Sequence, residues 1–482
     1  MRYAITGATG FLGGVLARQL LDAGHEVVAL VRDPSRAGDL ADAGAELVPG
    51  DLDDAAALDR LCEGADGLFH VAGWYKVGSR TPDVGRRVNV DGTRNALEAA
   101  RRNSVPRVVY TSTLAVNSDT RGRVVDESYR FAGRHISVYD ETKALAHEIA
   151  VEYAADGLDV VILQPGVIYG PGDTSQVGAL IESTARGKRV VAPRDGGMCW
   201  AHVEDVAHGH VLAMEKGATG AAYMLAGPRA SLAEVLRKVA ALAGTKPPLT
   251  LPVSMVRATA AVNGVVGRVV PLPADYTGES LRASVATYLG TPARAEQELG
   301  WRDIESVADE VRQLGRRALP VVSPRLDEAG VEDILDRTLA EFGRLDFLVN
   351  NAASSRGNDR VPVIEMDIAE WDRVIGVNLR GTFLMSRAFA QRMVQNEWPG
   401  CIINISSVAG KSLPPRATAY GASKAGIQAL GAGMAVELGP YGVRVNTLCP
   451  GFVDTSRMDQ PNVSHEDRVR AAAERSPLRR VR

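Results

Sequence analysis

Short apolar runs alternate with amphipathic stretches along the first half of the chain. Residues 3–31 read as an apolar strand, a glycine turn, an amphipathic helix and a second apolar strand, Glu26–Val31, which together make one βαβ unit. A third strand leads into Gly50-Asp51-Leu52, and Leu68–Gly73 forms a fourth. The alternation continues through Val108–Thr113 and Val160–Gly166, and strands recurring between helices predict an α/β fold built on a doubly wound parallel sheet. After Leu299-Gly300-Trp301-Arg302 the text changes character. Ile304–Leu314 is spaced as an amphipathic helix and Arg317–Val322 as a strand, and apolar segments recur at Leu345–Ala353 and Ile402–Ser407.

At 482 residues the chain exceeds a usual single domain, and its length predicts two to three folding units. A formal net charge of −3 with 23% charged residues offers no global attraction to nucleic acid or to an anionic membrane, which leaves small molecules as the expected partners. Cys62, Cys199, Cys401 and Cys449 stand far apart without a CxxC pair, so neither a disulfide framework nor a zinc site is expected, and a reducing, cytoplasmic setting is. The N-terminal residues read as a strand entering a turn rather than as a secretion signal. The apolar stretch from Leu251 to Pro273 is interrupted by Arg257, Arg268 and prolines, which argues against a membrane span.

The candidate chemistry begins in the turn Thr6-Gly7-Ala8-Thr9-Gly10-Phe11-Leu12-Gly13. Glycines there permit a tight turn and let backbone approach a pyrophosphate, and the helix that follows offers unpaired N–H groups to the phosphates. The end of the second strand reports on the nucleotide. An acidic residue would take the ribose 2′-hydroxyl of NAD, whereas an Arg accommodates the 2′-phosphate of NADP. Arg32 follows Val31, and Asp33 before Pro34 is better suited to cap a helix, so NADP(H) is expected over NAD(H). Tyr139 and Lys143 are four residues apart and share one helix face. An ammonium there is expected to lower the phenol below its ordinary value of about 10, making Tyr139 a proton donor to a carbonyl. Thr113, or Ser112 beside it, would hold the reacting oxygen.

Together these residues resemble the extended branch of the short-chain dehydrogenase/reductase superfamily. The likeness rests on TGATGFLG at Thr6–Gly13, Asp51-Leu52, NVDGT at Asn89–Thr93, YTST at Tyr110–Thr113, YDETK at Tyr139–Lys143 and QPGVIYGPGD at Gln164–Asp173, and covers residues 1–302. Val31–Pro34 and His70–Gly73 are similar to the dihydroflavonol-reductase-like group rather than to sugar-nucleotide epimerases. The resemblance implies a Rossmann-type core over about residues 1–170 and a smaller substrate-binding region over about residues 171–302. It further implies NADPH-dependent reduction of a ketone or aldehyde by Thr113, Tyr139 and Lys143. Gly7, Thr9, Gly10, Phe11, Leu12, Gly13, Arg32, Asp51, Leu52, Ala72 and Pro165 would hold the cofactor, together with Tyr139 and Lys143. His202 is expected to be structural, and Trp74, Tyr75 and Tyr169 to shape the pocket or the core. A sugar-nucleotide epimerase or dehydratase is the alternative activity.

Residues 303–482 resemble a classical short-chain reductase whose tetrad would be Asn378, Ser407, Tyr420 and Lys424. The first βαβ unit and its glycine loop are missing, and so, by this reading, are the final strand and helix. Asn263–Gly267 follows no strand and is discounted as a substitute. In the strand order 3-2-1-4-5-6, losing strands 1 and 2 detaches strand 3 and opens one edge of strand 4. A partial second Rossmann-like unit is therefore expected, its tetrad inactive. Three roles stay open for it: a module for homo-oligomeric association through the helices around Asp367–Gln395 and Tyr420–Leu438, part of a non-catalytic NADP-binding protein, or the remnant of a gene fusion.

Overall fold

Seven strands hydrogen-bond side by side in the first part of the chain: β1 (Arg2–Thr6), β2 (Glu26–Val31), β3 (Glu46–Pro49), β4 (Gly67–His70), β5 (Val108–Thr111), β6 (Val160–Pro165) and β7 (Ala222–Leu225). Their spatial order is β3-β2-β1-β4-β5-β6-β7, with every neighbouring pair parallel. The order reverses between β1 and β4, which is where a doubly wound sheet opens a crevice at its carboxyl edge. The computed structural model describes residues 1–78, 81–266, 277–321, 327–354, 359–412 and 415–451.

The two-residue period of a strand sends alternate side chains to opposite faces. Ile5, Phe69, Val109 and Val161 join one core, under α1 (Phe11–Asp22) and α3 (Val203–Lys216), whereas Ala4, Leu68, Val108 and Val160 join the other, under residues 55–62, 92–102 and α2 (Val138–Ala155). Burial on both faces explains why these strands read as continuous apolar runs. Each fully buried aliphatic side chain contributes about 1.5–3 kcal/mol.

Trp301 is 1% exposed, and its indole N–H donates to the Asp205 carbonyl at 2.8 Å. Ile304 N donates to Asp205 Oδ2 at 3.1 Å, so the start of α4 (Ile304–Gln313) is fastened to α3. The chain accordingly divides into a unit Met1–Ala318 and a unit Leu319–Arg482, with α4 in the first. Beyond β6 lies a small sheet in which Gly197–His202 pairs with Val167–Tyr169, Arg229–Ala230 and Thr287–Tyr288. Asn263–Val266 is the end of a helix, Val253–Val266, and Gly267 lies outside the described residues.

In the second unit β8 (Phe347–Asn350), β9 (Gly400–Ile405) and β10 (Val443–Leu448) form a parallel sheet in that order. Val331, Leu335, Phe389, Met393, Ile402 and Val443 make its core. Among the described residues β8 has one strand neighbour, and its Phe347 and Val349 are 67% and 55% exposed. The expected strand at Arg317–Val322 is not formed over residues 317–321, and Val322 lies outside the described residues. A strand exists only against a partner that takes up its N–H and C=O groups, and among the described residues the second unit has no counterpart of the strand 2 that would pair there. Among the described residues no helix is long and apolar enough to cross a membrane; residues 267–273 of the apolar stretch are not among them.

Candidate active site

The turn after β1 is shaped by close backbone approach. Gly7 has φ +79°, and a Cβ there would lie 2.7 Å from Ala72 N; a Cβ on Gly13 would lie 2.2 Å from the Gly7 carbonyl oxygen. A side chain at either position closes the turn. The twelve-residue helix α1 starts from Gly10, so no side chain caps its first N–H groups, the kind of helix N-terminus that suits an anion. Thr9 is exposed, Phe11 half-buried and Leu12 buried in this turn. Ala72 N donates to Thr6 Oγ1 at 3.3 Å. Asp51 Oδ1 accepts from Leu52 N at 2.8 Å, and Leu52 O from Asn95 Nδ2 at 2.9 Å. The sheet therefore sets Gly7–Gly13, Arg32, Asp51-Leu52, Ala72 and Pro165 along one carboxyl edge. These residues fit a dinucleotide.

Arg32 is exposed just past β2. Asp33 is engaged locally: its carboxylate accepts from Ser35 N at 3.1 Å and from Ser35 Oγ at 2.7 Å, capping a single turn at Pro34–Arg36. Those bonds hold the Asp33 carboxyl below its ordinary range.

Ser137 caps α2, which places Tyr139 in its first turn and Lys143 one turn later. Lys143 Nζ donates to the Thr111 carbonyl at 2.7 Å and to Tyr110 Oη at 3.0 Å, and lies 4.7 Å from the Tyr110 ring centroid. Burial lowers Lys143 to about 7. Tyr139 departs from the sequence expectation: it is raised to about 12 by burial, with the Thr113 hydroxyl opposing, rather than lowered by Lys143. The physical reason is desolvation, which penalises phenolate, while the ammonium is directed at Tyr110 and Thr111. Ser112 Oγ is bonded to His147 Nδ1 at 2.9 Å, which leaves Thr113 as the hydroxyl beside Tyr139.

From sequence Asn89 stands only within the motif Asn89–Thr93, with no role of its own. It is 1% exposed; its Oδ1 accepts from Trp74 N at 2.7 Å, and its Nδ2 donates to Trp74 O at 2.9 Å and Thr142 Oγ1 at 3.0 Å. One amide thus ties the loop after β4 to the helix that carries Tyr139. The second unit repeats this frame. Asn378 Oδ1 accepts from Ser354 N at 2.7 Å and Asn378 Nδ2 donates to Ser423 Oγ at 2.9 Å; Lys424 Nζ donates to the Ile405 carbonyl at 2.9 Å. Ser407 Oγ accepts from Ala409 N at 3.1 Å, as Thr113 Oγ1 does from Ala115 N at 3.2 Å. The signal that could have found Asn89 is the shared Asn-x-x-Gly-Thr at residues 89–93 and 378–382. Tyr420 is half-buried, as Tyr139 is, and differs in having the Arg360 guanidinium 4.6 Å from its ring centroid.

His202 caps α3, accepting from Glu204 N at 3.3 Å, in keeping with a structural role. Trp74 is buried against Gly85, Tyr75 is 55% exposed, and Tyr169 meets Trp200 and His202 edge-on. No cluster suited to a metal ion is present among the described residues.

The family model of the NAD dependent epimerase/dehydratase family matches residues 3–226, and that of short chain dehydrogenase matches residues 298–467. A putative dihydroflavonol 4-reductase of Synechocystis is 34% identical over 311 residues, covering 62% of this chain and 89% of that protein. For the second half, a cis-4-hydroxycyclohexanecarboxylate dehydrogenase of Sinomonas cyclohexanicum is 38% identical over 151 residues, 31% of this chain and 59% of that protein. The solved structure of a nucleoside-diphosphate-sugar epimerase from Pseudomonas aeruginosa is 27% identical with a TM-score of 0.51, covering 63% of this chain and 92% of that one. The chain belongs to the short-chain dehydrogenase/reductase superfamily and is an NAD(P)-dependent dehydrogenase/reductase, its first half of the epimerase/dehydratase family and its second half of the short chain dehydrogenase family.

Proposed function

We propose that the first unit reduces a ketone or aldehyde to an alcohol with NADPH, through Thr113, Tyr139 and Lys143. The observation that carries this reading is the convergence of those three side chains at the carboxyl edge of the sheet, beside a glycine turn that a Cβ would close. A nicotinamide bound there would supply hydride to the carbonyl carbon. Tyr139, kept protonated by burial through neutral pH, donates its proton to the carbonyl oxygen, and Thr113 holds that oxygen by a hydrogen bond. Lys143 would hold the nicotinamide ribose, and its bonds to Thr111 and Tyr110 fix the face of α2 from which Tyr139 projects. The second unit is read as non-catalytic, since it keeps the tetrad frame without a glycine turn of its own.

The preference for NADPH rests on Arg32 standing free in the position of the 2′-phosphate partner while Asp33 is taken up in its own cap. NADPH should therefore raise the melting temperature more than NADH. A charge-assisted bond corresponds to about tenfold or more in affinity, so Arg32→Ala should weaken NADPH by that factor and leave NADH unchanged. Equal thermal shifts from the two nucleotides would remove the assignment. Gly13→Val drives a side chain into the Gly7 carbonyl and should abolish both shifts; retention of either would mean that the nucleotide binds elsewhere.

A further inference from the structure

Tyr139 lies between two residues that are gripped from one distant segment. Before it, Val138 N donates to Glu279 Oε1 at 3.1 Å; after it, Asp140 Oδ2 accepts from Tyr288 Oη at 3.1 Å. The loop leaving Thr113 is held from the same segment. Thr287 N and Oγ1 donate to Asp119 Oδ1 at 3.0 and 2.8 Å, and Thr120 N donates to the Thr287 carbonyl at 2.8 Å. Residues 279–288 belong to the smaller, substrate-side part of the unit, yet they reach both strands of chain that carry the reacting hydroxyls. Helix capping explains the bond from Ser137 Oγ to Asp140 Oδ1 at 2.6 Å but not the one from Tyr288.

We propose that Tyr288 is a positioning residue for the reduction: anchored on Asp140, its hydroxyl fixes the turn carrying Tyr139 against the substrate-side segment. This rests on the reductase reading given above. Asp140 is 1% exposed, and burial raises its carboxyl to about 6, with the bonds from Ser137 and Tyr288 opposing and the Glu279 charge adding to the rise. The charged and titratable groups around the pair are Glu279 from helix Gly278–Ser284, Tyr139 on α2, and Asp119 beyond Tyr288. Protonated Asp140 accepts a weaker bond than the carboxylate, so the latch loosens as pH falls through about 6.

The test is NADPH oxidation over a panel of ketones and aldehydes, comparing wild type, Tyr288→Phe and Asp140→Asn from pH 5 to 8. With rates taken per folded enzyme, measured by melting at each pH, expected are a wild-type kcat that declines on the acid side near pH 6, and variants with kcat lower by about tenfold or more, carbonyl KM little changed, and no acid limb. The melting shift with NADPH should persist in both variants, since neither residue lies in the glycine turn. Wild-type kcat and acid limb in Tyr288→Phe overturn the inference. Should that variant lose its NADPH shift, the isosteric Asp140→Asn decides, and an acid limb retained there overturns it equally. A wild type inactive with every carbonyl defeats the reductase reading, and the inference falls with it.

Discussion

Tyr139→Phe should lower carbonyl-dependent NADPH oxidation by about 10²–10⁴-fold, the usual contribution of a positioned general acid, while Tyr420→Phe leaves it nearly unchanged. The substitution at 139 removes one buried hydroxyl and keeps the ring, so the melting temperature and the NADPH-induced shift should both be retained. Tyr420 sits in an equally well-built frame, with Lys424 on the Ile405 carbonyl and Asn378 on Ser423. What it lacks is a turn like Gly7–Gly13 to bring a hydride donor to it. If Tyr420→Phe alone stops turnover, the active centre is in the second unit. Burial raises Tyr139 to about 12, so under the proposed reading the protonated phenol would serve as the acid at neutral pH, and alcohol oxidation, which needs phenolate, should climb into the alkaline range. Steady-state rates in both directions on the same alcohol–carbonyl pair would check this.

Acid should unfold the first unit between about pH 6.5 and 4. Burial lowers His70 to about 3 and both His147 and His210 to about 4. All three are bonded as neutral rings: His70 between Thr6 Oγ1 and Thr93 Oγ1, His147 to Ser112 Oγ, and His210 to the Val206 carbonyl and Thr111 Oγ1. In this window the unfolded chain binds protons that the folded chain does not, so stability falls as pH falls. Each histidine contributes about 1.4 kcal/mol per pH unit and the three together about 4; below pH 6 the carboxyl of Asp140, raised to about 6, offsets one such share and leaves about 3, against a typical domain stability of roughly 5–15 kcal/mol. Lys143 has the same sign at higher pH. Lowered to about 7 from 10.5, it adds stability as pH rises between those values. Calorimetric melting at pH 7, 6 and 5 in buffers of different ionisation enthalpy would report the proton uptake; a flat melting temperature across that range would sink the prediction. His210→Gln should remove about one third of the histidine contribution to the slope.

The doubly wound order was legible because the strands of the first unit are buried on both faces, which leaves uninterrupted apolar runs separated by helices. The glycine turn was legible for a steric reason: Gly7 and Gly13 stand where no Cβ fits. The Tyr139/Lys143 pair followed from helical spacing together with its place downstream of the glycine turn and of a strand ending in hydroxyls. The strand expected at Arg317–Val322 followed from local pattern, and it fails over residues 317–321 because a strand requires a partner that local pattern does not show.

The chain's sequence by itself determined the fold class, the position of the glycine turn and the two candidate centres, since each depends on residues close together in the chain. Only the tertiary structure decided that Asn89 joins the loop after β4 to α2, that Tyr139 is raised rather than lowered, and that Asp140 meets Tyr288 across 148 residues. Those outcomes depend on burial and on contacts between distant segments. Spacing along a helix places two side chains on one face, but the water they lose, and hence the protons they keep, is set by everything packed around them.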